Sequence, residues 1–133
     1  MTKAKVAKVL LVTTSNETGT LARISAVLKE EGLNILHLCA SAMDDKAHFI
    51  IVVDDAGKGF EAIEALGYEI STTEVLEVTF KNEPGTLAPV AQKLAEADID
   101  INYIFGTTSG GGDIVGLIST DDDQKALEVI NEP

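Results

Sequence analysis

N-E-T-G-T-L-A, residues Asn16–Ala22, returns as N-E-P-G-T-L-A, residues Asn82–Ala88, with Pro84 in place of Thr18. The copies stand 66 positions apart in a chain of 133 residues, so the repeating unit is half the chain. Self-similarity at such a period decides the architecture before any single motif is weighed. Each copy follows a short β-branched-rich run, Val6–Thr14 or Glu74–Phe80, which reads as a strand. Each precedes an amphipathic pattern. In the first half Leu21, Ile24, Val27 and Leu28 recur at helical spacing, with Arg23, Lys29, Glu30 and Glu31 between them and Gly32 as the stop. In the second half Leu87, Val90, Ala91 and Leu94 play the same part. A strand–Asn-x-x-Gly–helix junction turns backbone N–H groups outward, and a ligand-sized hollow is expected at each loop.

The offset holds beyond the loop. Val9, Leu10, Val12 and Thr13 match Val75, Leu76, Val78 and Thr79, and Leu28, Glu30 and Ile35 match Leu94, Glu96 and Ile101. The first half continues with a strand over 33–43, a turn at Asp44–Lys46, a strand over 47–53, a helix over Phe60–Leu66 after Gly57 and Gly59, and a short strand at Tyr68–Ser71. The second half has a strand at Ile99–Phe105, a glycine turn at Thr108–Asp113, a strand at Ile114–Ser119 and a helix at Gln124–Ile130, after which only Asn131, Glu132 and Pro133 remain. The order β-α-β-β-α-β predicts an α+β chain of two tandem ferredoxin-like modules, 1–72 and 73–133, the second lacking its last strand. Right-handed crossovers place both helices of a module on one sheet face. Leu76, Val78 and Phe80 alternate towards that face, as do Leu10, Val12 and Thr14. Val9 and Leu11 then point to the open face, and the strand over 33–43 is apolar on both faces, so cover is expected from the second module or another chain. The missing strand leaves an edge that invites pairing or is filled from elsewhere. Both features predict a homodimer.

The net charge is −12, and it is unevenly spread: residues 1–66 carry 7 basic and 9 acidic groups, residues 67–133 carry 3 and 13. Binding a phosphate backbone needs clustered Lys and Arg, so nucleic acid is excluded as a partner. Anionic membranes are disfavoured for the same reason, and no apolar run is long enough for a membrane span. The basic start M-T-K-A-K-V-A-K leads into an apolar stretch too short for a signal segment. Cys39 is the single cysteine, which fits a reducing compartment. A cytoplasmic protein is expected.

The Asn-Glu-Pro-Gly-Thr-Leu-Ala loop after strand one and the Gly-Leu-Asn-Ile that opens strand two (Gly32–Ile35) together resemble the ACT domain, a regulatory module that binds amino acids. The resemblance covers both halves, and the chain is similar to small stand-alone tandem ACT proteins. It implies an allosteric amino-acid sensor with no enzymatic activity of its own. The ligand is a free amino acid held between adjacent modules or across a dimer, touching the loop after strand one and strand two of a neighbour. Carried over to this sequence, the site residues are Asn16, Glu17, Thr18, Gly19 and Thr20 with Asn34 in the first half, and Asn82, Glu83, Pro84, Gly85 and Thr86 with Asp100 in the second. Thr18 departs from the family's proline. Asp98 and Asp100 stand where Gly32 and Asn34 stand in the first half, so the two sites are not equivalent.

The chemistry agrees with that assignment. The first N–H groups of a helix lack intrahelical partners and favour an anion such as a carboxylate, and glycine lets a ligand approach the backbone. The ammonium can be met by an asparagine oxygen, by Asp100 or by strand carbonyls. The competing reading is that the glycines only shape the turn and the asparagines only cap the helices. His37, Cys39 and His48 lie on neighbouring strands, yet packing explains them better than a metal does, and neither a metal nor a cofactor is expected. Asp121, Asp122 and Asp123 lack the spacing of a calcium loop and read as a helix cap. Ser109–Asp113 has no following Lys or helix and is no phosphate loop. No nucleophile–base pair stands out, and Arg23 falls inside a helix. The alternative to a sensor is a regulatory subunit that docks on an amino-acid biosynthetic enzyme. A small hydrolase ranks last, because the fold alone does not give function.

Overall fold

The structure is a computed structural model, which describes residues 2–107 and 110–133. The elements run β1 (Lys3–Ser15), α1 (Thr20–Glu30), β2 (Ile35–Met43), β3 (Lys46–Val53), α2 (Ala56–Glu64), β4 (Glu69–Phe80), α3 (Leu87–Glu96), β5 (Ile101–Thr107), β6 (Ile114–Thr120) and α4 (Asp123–Asn131). This is the α+β order expected of two ferredoxin-like modules. The residues form two compact units, Lys8–Thr73 and Met1–Ala7 with Glu74–Pro133. Both β1 and β4 are therefore divided between the units.

In the first unit β3 lies between β1 and β2 and is antiparallel to both. Alternation sends Leu10 and Val12 of β1 and Ala47, Phe49, Ile51 and Val53 of β3 to one face, where they pack with Ile24 and Leu28 of α1 and Ile63 of α2. Burying a branched aliphatic side chain is worth about 1.5–3 kcal/mol, so these positions fix the register. Thr14, the third inward residue of β1, is buried as well. On the other face Val9 is fully buried and Leu11 half-buried. α2 begins four residues before its expected start and includes Gly57 and Gly59. Asp55 caps it by accepting from the Lys58 N–H. Gly59 lets the helix approach the sheet, since a Cβ there would lie 2.9 Å from Val53 Cγ2 and 3.0 Å from Leu10 Cδ1.

The second unit repeats the plan. β6 lies between β4 and β5, antiparallel to both, and Leu76, Val78, Phe80 and Ile118 pack with Val90 and Leu94 of α3 and Ala126 and Ile130 of α4. Among the described residues no strand follows α4. Its place beside β4 is taken by Lys3–Ala7, the first part of β1. Asn131 ties this segment down. Its Nδ2 donates to the Ala4 carbonyl at 2.9 Å and its Oδ1 accepts from the Ala4 N–H at 2.8 Å. Ala4 packs on the core, and Lys5 Nζ lies 3.1 Å from Glu77 Oε2. The strand missing from the second half is thus supplied by the chain's own beginning, which removes the open edge as a reason for dimerisation. Of the glycine turn expected at Thr108–Asp113, Thr108 and Ser109 lie outside the described residues, while Gly110 and Gly112 have positive φ.

The two halves end their first helices alike. Gly32 has φ +70°, with Gly32 N–H donating to Lys29 O and Leu33 N–H to Leu28 O, both at 2.9 Å. Asp98 has φ +57°, with Asp98 N–H donating to Ala95 O and Ile99 N–H to Leu94 O, both at 3.0 Å. Aspartate thus keeps the same helix end in a left-handed conformation that costs a residue with a Cβ about 1–2 kcal/mol. Gly32→Ala is accordingly expected to lower the unfolding free energy by about 1–2 kcal/mol, whereas Asp98→Gly raises the denaturation midpoint. Urea titration followed by circular dichroism reads both. Removing residues 2–7 is expected to lower the midpoint and to produce higher oligomers on size exclusion, because the edge of β4 is then bare.

Candidate ligand loops

The two Asn-Glu-x-Gly loops fold by the same hydrogen bonds. Glu17 N–H donates to Ser15 O and Glu83 N–H to Lys81 O, each at 2.9 Å. Thr20 Oγ1 donates to Glu17 O at 3.1 Å, and Thr86 Oγ1 to Glu83 O at 3.2 Å. Gly19 (φ +90°) and Gly85 (φ +83°) occupy the left-handed region, which favours glycine. The first loop is also tied to the β2–β3 turn, where Asn16 N–H donates to Asp45 O at 2.7 Å. Residues Asn16–Gly19 and Asn82–Gly85 are exposed.

The asparagines are not the N-cap residues of the helices. The N-cap of α1 is Gly19 and that of α3 is Thr86, and neither helix has a side-chain cap. The second helix of each unit contrasts with them. Asp55 accepts from Lys58 N–H at 3.1 Å, and Asp122 accepts from Lys125 N–H at 3.0 Å. A helix N-terminus carries orphan N–H groups and the positive end of the macrodipole. In α2 and α4 the carboxylate of the N-cap residue answers that end, whereas the N-cap residues of α1 and α3 make no side-chain cap. The other two aspartates of the triplet are engaged as well: Asp123 accepts from Thr120 N–H and Oγ1, and Asp121 accepts from Asp100 N–H.

Asn34 and Asp100 are not beside the loops of their own units. Ser15 and Met43 both pair with Lys46, so the first loop lies at the β2–β3 turn, whereas Ile35 pairs with Val53 at the far end. Asn34 is bound there by a reciprocal tie, its N–H donating to Asp54 Oδ1 at 3.1 Å and its carbonyl accepting from Asp54 N–H at 3.3 Å. β2 has 9 residues, which separates Asn34 from the loop by about 25–30 Å. Asp100 repeats the arrangement, with its N–H donating to Asp121 Oδ1 and its carbonyl accepting from Asp121 N–H, both at 3.1 Å. The change from Asn to Asp leaves this backbone tie intact and alters only the side-chain charge.

Arg23, on the second turn of α1, reaches back over the first loop. Its Nε donates to Tyr68 Oη at 2.7 Å and its Nη2 to Thr20 Oγ1 at 3.3 Å, and Nη2 lies 3.8 Å from Glu17 Oε2. The guanidinium pKa is raised above its usual value, chiefly by the hydrogen bond to Tyr68 and to a smaller extent by the charge of Glu17. In sequence this residue reads as helix surface. Its partner Tyr68 is 45 positions away, and no local pattern predicts the pairing.

His48 Nδ1 lies 3.4 Å from Thr13 Oγ1 and opposite Ser41, and Cys39 lies opposite Ile50. Among the described residues no group of three His, Cys, Asp or Glu side chains is placed to hold a metal ion. Two hollows in the second unit, of about 640 and 530 Å³, include no residue of Asn82–Thr86. Among the described residues no helix is long and apolar enough to cross a membrane.

The sequence matches the ACT domain pair family over residues 5–133. The chain belongs to that family. No curated protein matches it. A crystal structure of a Bacteroides thetaiotaomicron protein superposes on this ACT pair with TM-score 0.88 at 27% identity, over 95% of this chain and 87% of that one. The ligand-free regulatory subunit of aspartate kinase from Thermus thermophilus superposes with TM-score 0.70 at 19% identity, over 97% and 93%. The corresponding subunit from Thermus flavus gives 0.66 at 18%, over 97% and 94%. These last two share the fold of the ACT pair. Family membership supports an amino-acid-binding regulatory role. If side-chain caps hold α2 and α4 but not α1, Asp55→Ala and Asp122→Ala each cost about 1 kcal/mol of stability, and Asn16→Ala costs less than half of that; denaturant melts compare the three.

Proposed function

We propose that this ACT pair is a non-catalytic sensor whose ligand is a free amino acid bound at the strand–helix loops, Asn16–Thr20 and Asn82–Thr86. The observation that carries the reading is the contrast between helix ends. The helix after each Asn-Glu-x-Gly loop has no side-chain cap, while the other helix of each unit is capped by its own aspartate. An α-carboxylate suits such an end, and the exposed Asn16 side chain is an acceptor for an ammonium. Asn34 and Asp100 lie too far along their strands to reach the same ligand within one unit, so a second copy of the chain brings its strand two to the loop. A homodimer is favoured by β2, which among the described residues pairs only with β3 and exposes Leu36 (48%), Leu38 (39%) and Met43 (72%). Ligand affinity that differs between two arrangements of the copies then shifts their populations. A cytoplasmic location fits the lone cysteine.

A second reading, a regulatory subunit that docks on a metabolic enzyme, is favoured by the likeness to the Thermus structures, which are regulatory subunits of aspartate kinase. Thermal shift against the twenty amino acids tests the first reading. At 100 times the dissociation constant a ligand stabilises by about 2.7 kcal/mol, a rise of several degrees. One or a few amino acids are expected to produce it, and Asn16→Ala or Asn34→Ala to reduce it. No shift with any of the twenty rejects the sensor, and a kinase or other enzyme co-purifying with the ligand-indifferent chain supports the docking subunit.

A further inference from the structure

Arg23 is the single arginine of the chain, and its surroundings give it a task that the duplication does not copy. Three of its contacts hold the guanidinium in place: Tyr68 Oη on Nε, Thr20 Oγ1 on Nη2 and the more distant Glu17 carboxylate. Nη1 is left over. Among the described residues it has no hydrogen-bond partner, and it lies over Gly19, where a Cβ would come within 3.4 Å of it. The Glu17 pair does not account for the arrangement as a stabilising device, because its side chains are 46% and 66% exposed and exposed pairs contribute little. Tyr68 and Thr20 instead fix one edge of a planar donor and leave the other edge open above the loop. A guanidinium with a free edge matches a carboxylate better than an ammonium does. The second half has no such group. The position equivalent to Arg23 is Pro89, and Lys81, the cation nearest that loop in sequence, lines the 530 Å³ hollow with Lys3, Lys5 and Glu77.

We infer that Arg23, positioned by Tyr68, receives the ligand's carboxylate at the first loop, and that the second loop does not bind the same ligand with comparable affinity. The inference rests on the reading of the loops as amino-acid sites. It makes Arg23 the residue that separates a free amino acid from its amide, and Tyr68 a positioning residue. Each chain then holds one tight ligand, and the second loop either takes a different ligand or serves only the fold.

Isothermal titration of the full chain tests this, first with each of the twenty L-amino acids, then with the best of them and its α-carboxamide. The wild type is expected to bind one amino acid per chain and to discriminate against the carboxamide. Arg23→Gln is expected to lose about ten- to a hundredfold in affinity for the acid, to lose far less for the carboxamide, and to keep its circular dichroism spectrum. Tyr68→Phe, which leaves the charge but frees the guanidinium, reduces the acid–amide discrimination without abolishing binding. Arg23→Lys keeps the charge without the fork and gives a second variant should Arg23→Gln fold poorly; it is expected to lose affinity for the acid. A folded Arg23→Gln or Arg23→Lys that binds the acid with wild-type affinity overturns the role of Arg23 while the sensor reading stands. Two equal sites per chain overturn the inequality of the loops. A wild type that binds none of the twenty rejects the sensor reading and this inference with it.

Discussion

The edge of Glu74–Phe80 must be paired, and that requirement organises the second half of the chain. A strand with one side unpaired presents a row of unsatisfied N–H and C=O groups. In the second half α4 is the last element described. The chain's first residues meet the requirement: Lys3–Ala7 lie in the unit of Glu74–Pro133, clamped at Ala4 by both arms of the Asn131 amide. Asn131 follows Ile130, whose side chain is in the core, so the clamp stands where the last helix is already anchored. The first unit meets the same need with Glu69–Thr73, the beginning of β4. One end of a long strand thus completes each unit.

That exchange explains which parts of the fold could be read from the sequence. The alternation of Leu76, Val78 and Phe80, and the helical spacing of Leu87, Val90 and Leu94, are local patterns set by burial, and the elements formed where those patterns lie. Lys3–Ala7 has no such pattern. It reads Lys-Ala-Lys-Val-Ala, and its partners, the Asn131 amide and the Glu77 carboxylate, are distant in sequence. The join of Tyr68–Ser71 with Glu74–Phe80 into β4 was hidden for a related reason, since the run Ser71–Glu74 is polar and exposed, and reads as a break. The pattern of α2 starts too late in the sequence because two glycines look like punctuation, although one of them serves a close approach to Leu10 and Val53. At the candidate site, the loops were visible because they are written twice. Arg23 was invisible because its partners come from the loop before it and from Tyr68 beyond α2.

Duplication here has kept the scaffold and changed the chemistry. Gly32 and Asp98 end their helices with equivalent hydrogen bonds, Asn34 and Asp100 share a reciprocal tie to the aspartate after the next strand, and Thr20 and Thr86 hold the same carbonyl. Every one of these matches involves backbone atoms, which a substitution can leave in place. The differences are in what the side chains offer: Asn34 against Asp100, Arg23 against Pro89, Thr18 against Pro84. Arg23 hangs over the first loop and Pro89 offers the second no charge, so the two loops present different chemistry on one scaffold.

The separation of Asn34 from its own loop bears on regulation. A strand of 9 residues spans about 25–30 Å, while a free amino acid has one residue's worth of backbone, about 3.6 Å. A ligand held by both a loop and a strand-two residue therefore cannot take the two from one unit, and a second copy of the chain with its own sheet can supply the other. If one sheet supplied all the contacts, binding would only add stability to that sheet, and nothing would be transmitted. When two sheets share the ligand, its affinity depends on how they are placed, and by reciprocity the ligand biases that placement. A coupling of 1–3 kcal/mol, the usual range for allosteric proteins, requires only one or two contacts present in one arrangement and absent in the other. A single asparagine brought to the loop by a second sheet is of that size.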